Sequence, residues 1–161
     1  MAAADYFLKI DGVEGESKDD KHPKEIQIQS WSFGATNSGS SSLGSGAGTG
    51  KVSYQDFHFV VEIGKSGPKL LEHCSVGTHI KTAILTCRKA GGLQEEYYKV
   101  NFEDVLISSY QIGGSGSSIL PTEQIGFNFS RINVDYKEQK PDGSLGGTTA
   151  FKYDIKANKK L

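Results

Sequence analysis

The chain of 161 residues carries 18 lysines and arginines against 19 acids, a formal charge of -1, with 36% apolar and 23% charged residues. That balance leaves no long-range field to draw the protein onto nucleic acid or an anionic lipid surface, and the composition is that of one globular domain, 1–161, rather than a disordered chain. Two cysteines exclude a disulfide framework, and twenty glycines against four prolines point to many turns.

The opening "MAAADYFLKIDG" has no basic segment followed by an apolar one, and no stretch approaches the ~18 apolar residues that span a bilayer. The expectation is synthesis in the cytoplasm, no stable membrane insertion, and export, if any, by a route other than the general secretory one. A first strand is predicted at 5–10 and a second strand-like run at 25–36. In that run Ile26 and Ile28 fall on even numbers, whereas Trp31 and Phe33 fall on odd ones. One flat strand with a single core face cannot hold both sets, so the chain must bulge or pass from one sheet to another around a barrel-like core.

Next comes "SGSSSLGSGAGTGK", starting at Ser38, which invites comparison with a phosphate-binding loop. A Walker A loop fails, because Ser45 stands where its first glycine belongs and Val52 where its hydroxyl belongs. The dinucleotide fingerprint fails at Thr49 and Lys51, each where a third glycine belongs, and the "KVSYQDFHFVVEI" that follows alternates like a strand instead of opening a helix. What remains is a connection of about fourteen residues, long for a hairpin, with Leu43 as its only large apolar residue. It reads either as a flexible solvent loop or as an arm that orders against another subunit, with Leu43 as anchor.

Residues 52–63 form the next predicted strand, followed by a single short helix. Ser66 is its expected N-cap, Pro68 fits the first turn, Leu70, Leu71 and Cys74 share a face, and Gly77 closes it. Strands are predicted at 79–89, 95–112, 123–138 and 151–157, with turns at 89–93 and at Pro141-Asp142-Gly143. Within 123–138 the apolar side chains again change parity, from Ile125, Phe127 and Phe129 to Ile132, Val134 and Tyr136. Strands this long exceed the usual five or six residues and present long edges, which a ring of subunits would cover. Lys156, Lys159 and Lys160 read as a solvated tail.

Catalytic and metal chemistry find no support. His22, His58, His73 and His79 lack ligand spacing, Cys74 and Cys87 read as buried reduced thiols, and no nucleophile elbow occurs. The neighbouring acids Glu95-Glu96 and Glu103-Asp104 would point to opposite faces of strands. No cofactor, no metal and no enzyme are expected. Ser30, Ser32, Ser108, Ser109 and Ser115 are short neutral side chains near strand ends; they read as a solvated face, or in a ring as the lining of a wide, weakly adhesive channel.

Taken in order, "DYFLKIDGVEGESKDDKH", "EIQIQSWSFGATNSGS", "GKVSYQDFHF", "RKAGG", "EDVLISSYQIGGSG" and "FNFSRINVDYKEQKPDGS" resemble the Hcp (hemolysin-coregulated protein) family, the tube subunits of bacterial type VI secretion systems. The resemblance covers the whole chain. It implies a mainly β fold, a compact β-barrel of two antiparallel sheets with one short flanking α-helix and an extended Gly/Ser-rich loop. It also implies homo-hexameric rings that stack into a tube inside a contractile sheath behind a spike, secretion through that apparatus without a signal peptide, and small effectors carried in the lumen. By position, Ser38, Ser42, Leu43, Gly46, Gly48 and Gly50 belong to the loop that reaches the next ring or subunit, and Ser32 and Ser115 are lumen candidates. The alternative is a monomeric β-sandwich that binds peptide or carbohydrate, whose sign would be a compact aromatic patch near the loops. Trp31, Tyr54, Tyr97, Tyr98 and Tyr110 are scattered along the strands instead.

Overall fold

The computed structural model describes residues 4–38 and 51–161. In chain order the elements are β1 (Ala4–Ile10), β2 (Ile26–Ile28), β3 (Ser30–Ser32), β4 (Ala35–Asn37), β5 (Val52–Tyr54), β6 (Phe57–Glu62), α1 (Ser66–Val76), β7 (His79–Lys89), β8 (Glu96–Gly113), β9 (Thr122–Asn128), β10 (Arg131–Gln139), β11 (Leu145–Asp154) and β12 (Lys159–Lys160). One ten-stranded sheet runs β12-β11-β10-β8-β7-β1-β2, and from β8 it continues through β9 and β6 to β3. β4 and β5 form a separate two-stranded hairpin.

Each change of parity in the sequence marks a change of partner. Ile26 and Ile28 point inward while β2 pairs with β1; the Gln29 amide then donates to the Val60 carbonyl at 2.8 Å, and β3 pairs with β6. Among the described residues the ladder does not run unbroken round the barrel: β2 and β3 have no common partner, and the chain itself spans the gap between them. The predicted strand 123–138 is two strands that part at Phe129 and Ser130, and 52–63 is β5 and β6 parted at Gln55 and Asp56. β8 stays continuous by bulging. Asp104 takes a φ of 55°, with Phe102 and Val105 on either side of it both buried, and a register shift against β9 lies between Ile107 and Ser109.

Two further expectations are corrected. β11 begins at Leu145, well before 151, and ends at Asp154; its exposed glycines and threonines carry no apolar alternation, and a turn closed by Asn158 donating to the Ile155 carbonyl stops it. In α1, Ser66 lies within the first turn, and Lys65 occupies the cap without a side-chain bond. The buried face is Ser66, Gly67, Leu70 and His73, whereas Leu71, 100° round the helix from Leu70, is exposed. Gly77 closes the helix as expected, at φ 69° with its amide on the His73 carbonyl. Gly67 sets how closely α1 sits on β9, since a Cβ there would lie 2.4 Å from Glu123 Oε2. Glu123 is fully buried, accepts a hydrogen bond from the Tyr110 hydroxyl and faces the positive end of the helix.

The core is aromatic at its centre, where Phe57, Phe59, Phe102, Phe127 and Phe129 meet, with Leu8, Leu85 and Val100 around them. Phe7 lies on the other side of β1, outside that cluster yet 1% exposed. It is covered by the connection 14–25: the His22 ring stacks on it at 4.4 Å, and the Arg88 guanidinium lies 4.8 Å from its centre. Arg88 in turn holds Asp5 and Asp19, and both His22 ring nitrogens meet carboxylates, Glu25 at 2.8 Å and Glu96 at 2.6 Å. The strap is drawn in at Gly15, whose amide donates to the Lys24 carbonyl and where a Cβ would lie 2.3 Å from the Glu25 backbone oxygen. Gly15→Ala is therefore expected to cost about 1–3 kcal/mol by forcing two backbones apart. Urea unfolding at neutral pH measures it, and a loss under ~0.5 kcal/mol would show that the strap yields freely.

Candidate functional site

The strands β3, β6, β9 and β8 present two unlike faces, because residues directly opposite in a ladder share a side of the sheet. Toward the core run Trp31, Phe59, Ile125 and Tyr110, and beside them Phe57, Phe127 and Ile107. On the outer side one row reads Ser32, His58, Gly126, Ser109, and the next reads Ser30, Val60, Gln124, Gln111. A four-strand surface of hydroxyls, amides and one glycine results, without a lysine or arginine in either row. His58 is the sole titratable side chain of the two rows; Glu62, the last residue of β6, follows on the same face opposite Thr122, and Asp56 precedes the strand.

Gly126 is a required glycine. A Cβ there would come within 2.6 Å of Ser109 Oγ and 2.8 Å of His58 Nδ1, so its neighbours fold over it and keep the face low. A glycine between Ile125 and Phe127, inside an apolar strand pattern, is a sequence signal for such close approach. Residue type alone does not place His58, Gln111 and Gln124 on this face, because their alignment depends on ladders between distant segments.

Of the serines grouped from sequence, Ser30, Ser32 and Ser109 share this face and are exposed. Ser108 sits at the register shift and donates to Asp56 at 2.5 Å. Ser115 lies past the end of β8, exposed and hydrogen-bonded to Ser117. It lines a groove of about 590 Å³ with Gln111, Ile112, Ser118, Leu120 and Gln124, at one end of the neutral face. Ser38 is exposed just after β4; Ser42, Leu43, Gly46, Gly48 and Gly50 lie outside the described residues.

Several ionisable groups elsewhere are committed to structure. Asp104 accepts from Lys156 and Ser130, each at 2.7 Å, and from His79 at 3.1 Å; these bonds, that of Lys156 foremost, hold its carboxyl well below the usual range. Glu103 instead binds Arg131 at 2.6 Å. Burial pushes the Cys87 thiol up to about 12, which leaves it inert, whereas Cys74 is half-exposed and not buried as expected. Burial first, and the Glu123 carboxylate next, push the Tyr110 phenol up to about 12. Trp31 stacks against Phe57 and Tyr98, so these rings serve packing rather than an open aromatic platform. Among the described residues no group of three His, Cys, Asp or Glu side chains is placed to hold a metal, and no helix is long and apolar enough to cross a membrane.

A family model described as type VI secretion system effector, Hcp, matches residues 7–136. Protein hcp1 of Pseudomonas aeruginosa is 46% identical over 158 residues, spanning 97% of this chain and 98% of its own length. Among solved structures, Hcp1 from Salmonella typhimurium is 36% identical with a TM-score of 0.82, covering 99% of this chain and 100% of its own. A structure described as a type six secretion system protein is 30% identical with a TM-score of 0.92, again covering 99% and 100%. A type VI secretion system effector from Yersinia pestis is 35% identical with a TM-score of 0.77, covering 94% and 100%.

Proposed function

The chain belongs to the Hcp family of type VI secretion proteins, and on that premise we propose that it is a structural subunit of the secretion tube, working as a hexameric ring with no catalytic activity of its own. The observation that carries this reading is the neutral face and the two edges that bound it. Among the described residues β3 has no strand partner except β6, and beyond Leu106 β8 bonds only β9. An edge of one kind on each side of a sheet suits a head-to-tail contact between neighbours, and such a contact repeated round an axis closes into a ring. The rows of Ser32 and Ser30 then face the hole, where hydroxyls and amides give cargo weak, exchangeable hydrogen bonds rather than a sticky wall. Rings stack, the tube lies within the sheath behind the spike, small effectors ride in the lumen, and the protein leaves the cell through the apparatus it builds.

Negative-stain electron microscopy of the purified protein tests the ring: closed rings with an open centre are the expected result, and uniform monomers would return the peptide- or carbohydrate-binding sandwich to first place. Ser32→Arg is expected to leave the rings intact and to reduce the effector recovered with them, because a long cation replaces a hydroxyl on the neutral face. Undiminished recovery would remove Ser32 from the cargo surface.

A further inference from the structure

The four histidines divide three to one. His22 lies between Glu25 and Glu96, His73 is 8% exposed on the inner face of α1, and His79 meets Asp104 at 3.1 Å. His58 is exposed, and no carboxylate among the described residues pairs with it.

Its surroundings hold no fixed positive charge. β3, β6, β9 and residues 106–113 of β8 contain no lysine or arginine, although 18 of the chain's 161 residues are one or the other. Asp56, ahead of β6, accepts from Ser108 at 2.5 Å and shares a groove with Lys51. Glu62, at the other end of the strand, shares a groove with Lys18 and Lys65. Between those ends the neighbours of His58 are uncharged. β3 offers Ser30 and Ser32, β8 offers Ser109 and Gln111, and β9 offers Gln124 and Asn128, while the Glu123 of β9 is buried on the core side. His58 is therefore the one group that can change the charge of the middle of this face.

It does so without adding bulk. His58 Nδ1 and Cε1 each lie 2.8 Å from where a Gly126 Cβ would stand, so the imidazole lies down over β9 in the space the glycine leaves. Histidine is the side chain that takes up or loses a charge between about pH 5 and 8. Uncharged, the ring is one more hydrogen-bonding group among hydroxyls and amides. Protonated, it sets one cation per subunit in an otherwise uncharged wall.

We infer, resting on the lumen reading above, that His58 is the charge selector of this face: uncharged, it admits cargo by hydrogen bonding alone; protonated, it holds carboxylate-bearing segments and turns away lysine- and arginine-bearing ones. A fixed cation, as in Ser32→Arg, imposes at every pH a selection that His58 imposes only in acid.

Two labelled peptides of equal length, one alternating glutamate with serine and one alternating lysine with serine, test it on the wild type, His58→Gln and His58→Lys. Fluorescence anisotropy at low salt reads their binding at about pH 8 and at about pH 5.5, where glutamate side chains stay largely ionised. In the wild type, acid is expected to tighten the glutamate peptide and weaken the lysine peptide, each by about threefold, the scale of an exposed ion pair. His58→Gln is expected to show neither change, and His58→Lys to favour the glutamate peptide at both pH values. An acid shift of wild-type size in His58→Gln overturns the assignment, because other groups then carry it. So does a His58→Lys protein without preference at about pH 8, and so does binding of neither peptide at either pH. Those results leave the ring untouched, since electron microscopy reads it separately. Monomers that keep the His58-dependent shift overturn the tube reading and leave the charge-selecting face in place.

Discussion

Phe57→Ala is expected to lower the free energy of unfolding by about 3–5 kcal/mol, the usual cost of emptying a large aromatic site in a packed core. The residue is fully buried at the start of β6, and five aromatic rings surround it: Phe127 at 4.9 Å, Phe102 at 5.0 Å, Phe59 at 6.1 Å, and Trp31 and Phe33 each at 6.2 Å between centroids. These neighbours come from β3, β6, β8 and β9 and the chain between β3 and β4, so no single element can move in to fill the space. The neutral outer face is the reverse side of the same strands, and its rows depend on the ladders this ring supports. Guanidinium unfolding should show a lower midpoint with an unchanged slope, and the same preparation should give fewer rings. A loss below ~1 kcal/mol would mean that the surrounding rings collapse into the cavity and that the core is less rigid than its geometry implies.

Arg88→Met should be the second large effect, about 3 kcal/mol, at the lower end of what breaking a buried ion pair costs. Arg88 is 3% exposed between two carboxylates, donating to Asp5 at 3.2 Å and to Asp19 at 3.0 Å, with its guanidinium over Phe7. Methionine keeps the apolar cover of Phe7 but leaves Asp5 and Asp19 without their cation. Both carboxylates keep partial access to water, which limits the loss, and the strap 14–25 loses its tie to β7. The pH dependence separates this pair from mere packing. Hydrogen bonding to Arg88, the largest cause, holds the Asp19 carboxyl at about 2, below its ordinary 3.8. A carboxyl depressed in the folded state contributes stability that is fully present above its unfolded value and is lost as pH falls through the folded one, here from 3.8 toward about 2. Urea unfolding of the two proteins across that window should show a steep acid loss in the wild type and a shallower one in Arg88→Met. Equal slopes would mean that the pair does not tie the strap down.

Much of the fold is legible from side-chain type alone. β-branched and aromatic runs between glycine turns mark the strands, Gly77 marks the helix end, and the order of six short segments marks the family. The parity changes at Gln29 and at Phe129-Ser130 even announce that the chain must leave one sheet partner for another, because side chains alternate with a period of two whatever lies around them. β11 escapes notice because its glycines and threonines, most of them exposed, show no apolar alternation and take their strand geometry from pairing with β10.

The candidate site divides in the same way. Ser32 can be singled out from a serine's neutrality near a strand end, but its companions His58, Gly126 and Ser109 come from segments far apart in the chain. Only the ladders align them, and a shift of one residue in any ladder would turn that strand's row to the core. Leu71 and Leu70 are equally apolar neighbours, and the roll of α1 set by Gly67 against Glu123 decides that one is buried and the other faces water. Local pattern, which the chain carries residue by residue, determines the elements and the family. Which faces meet, which edges stay free and where His58 comes to lie depend on contacts between distant segments, and those exist only once the strands have packed around Phe57.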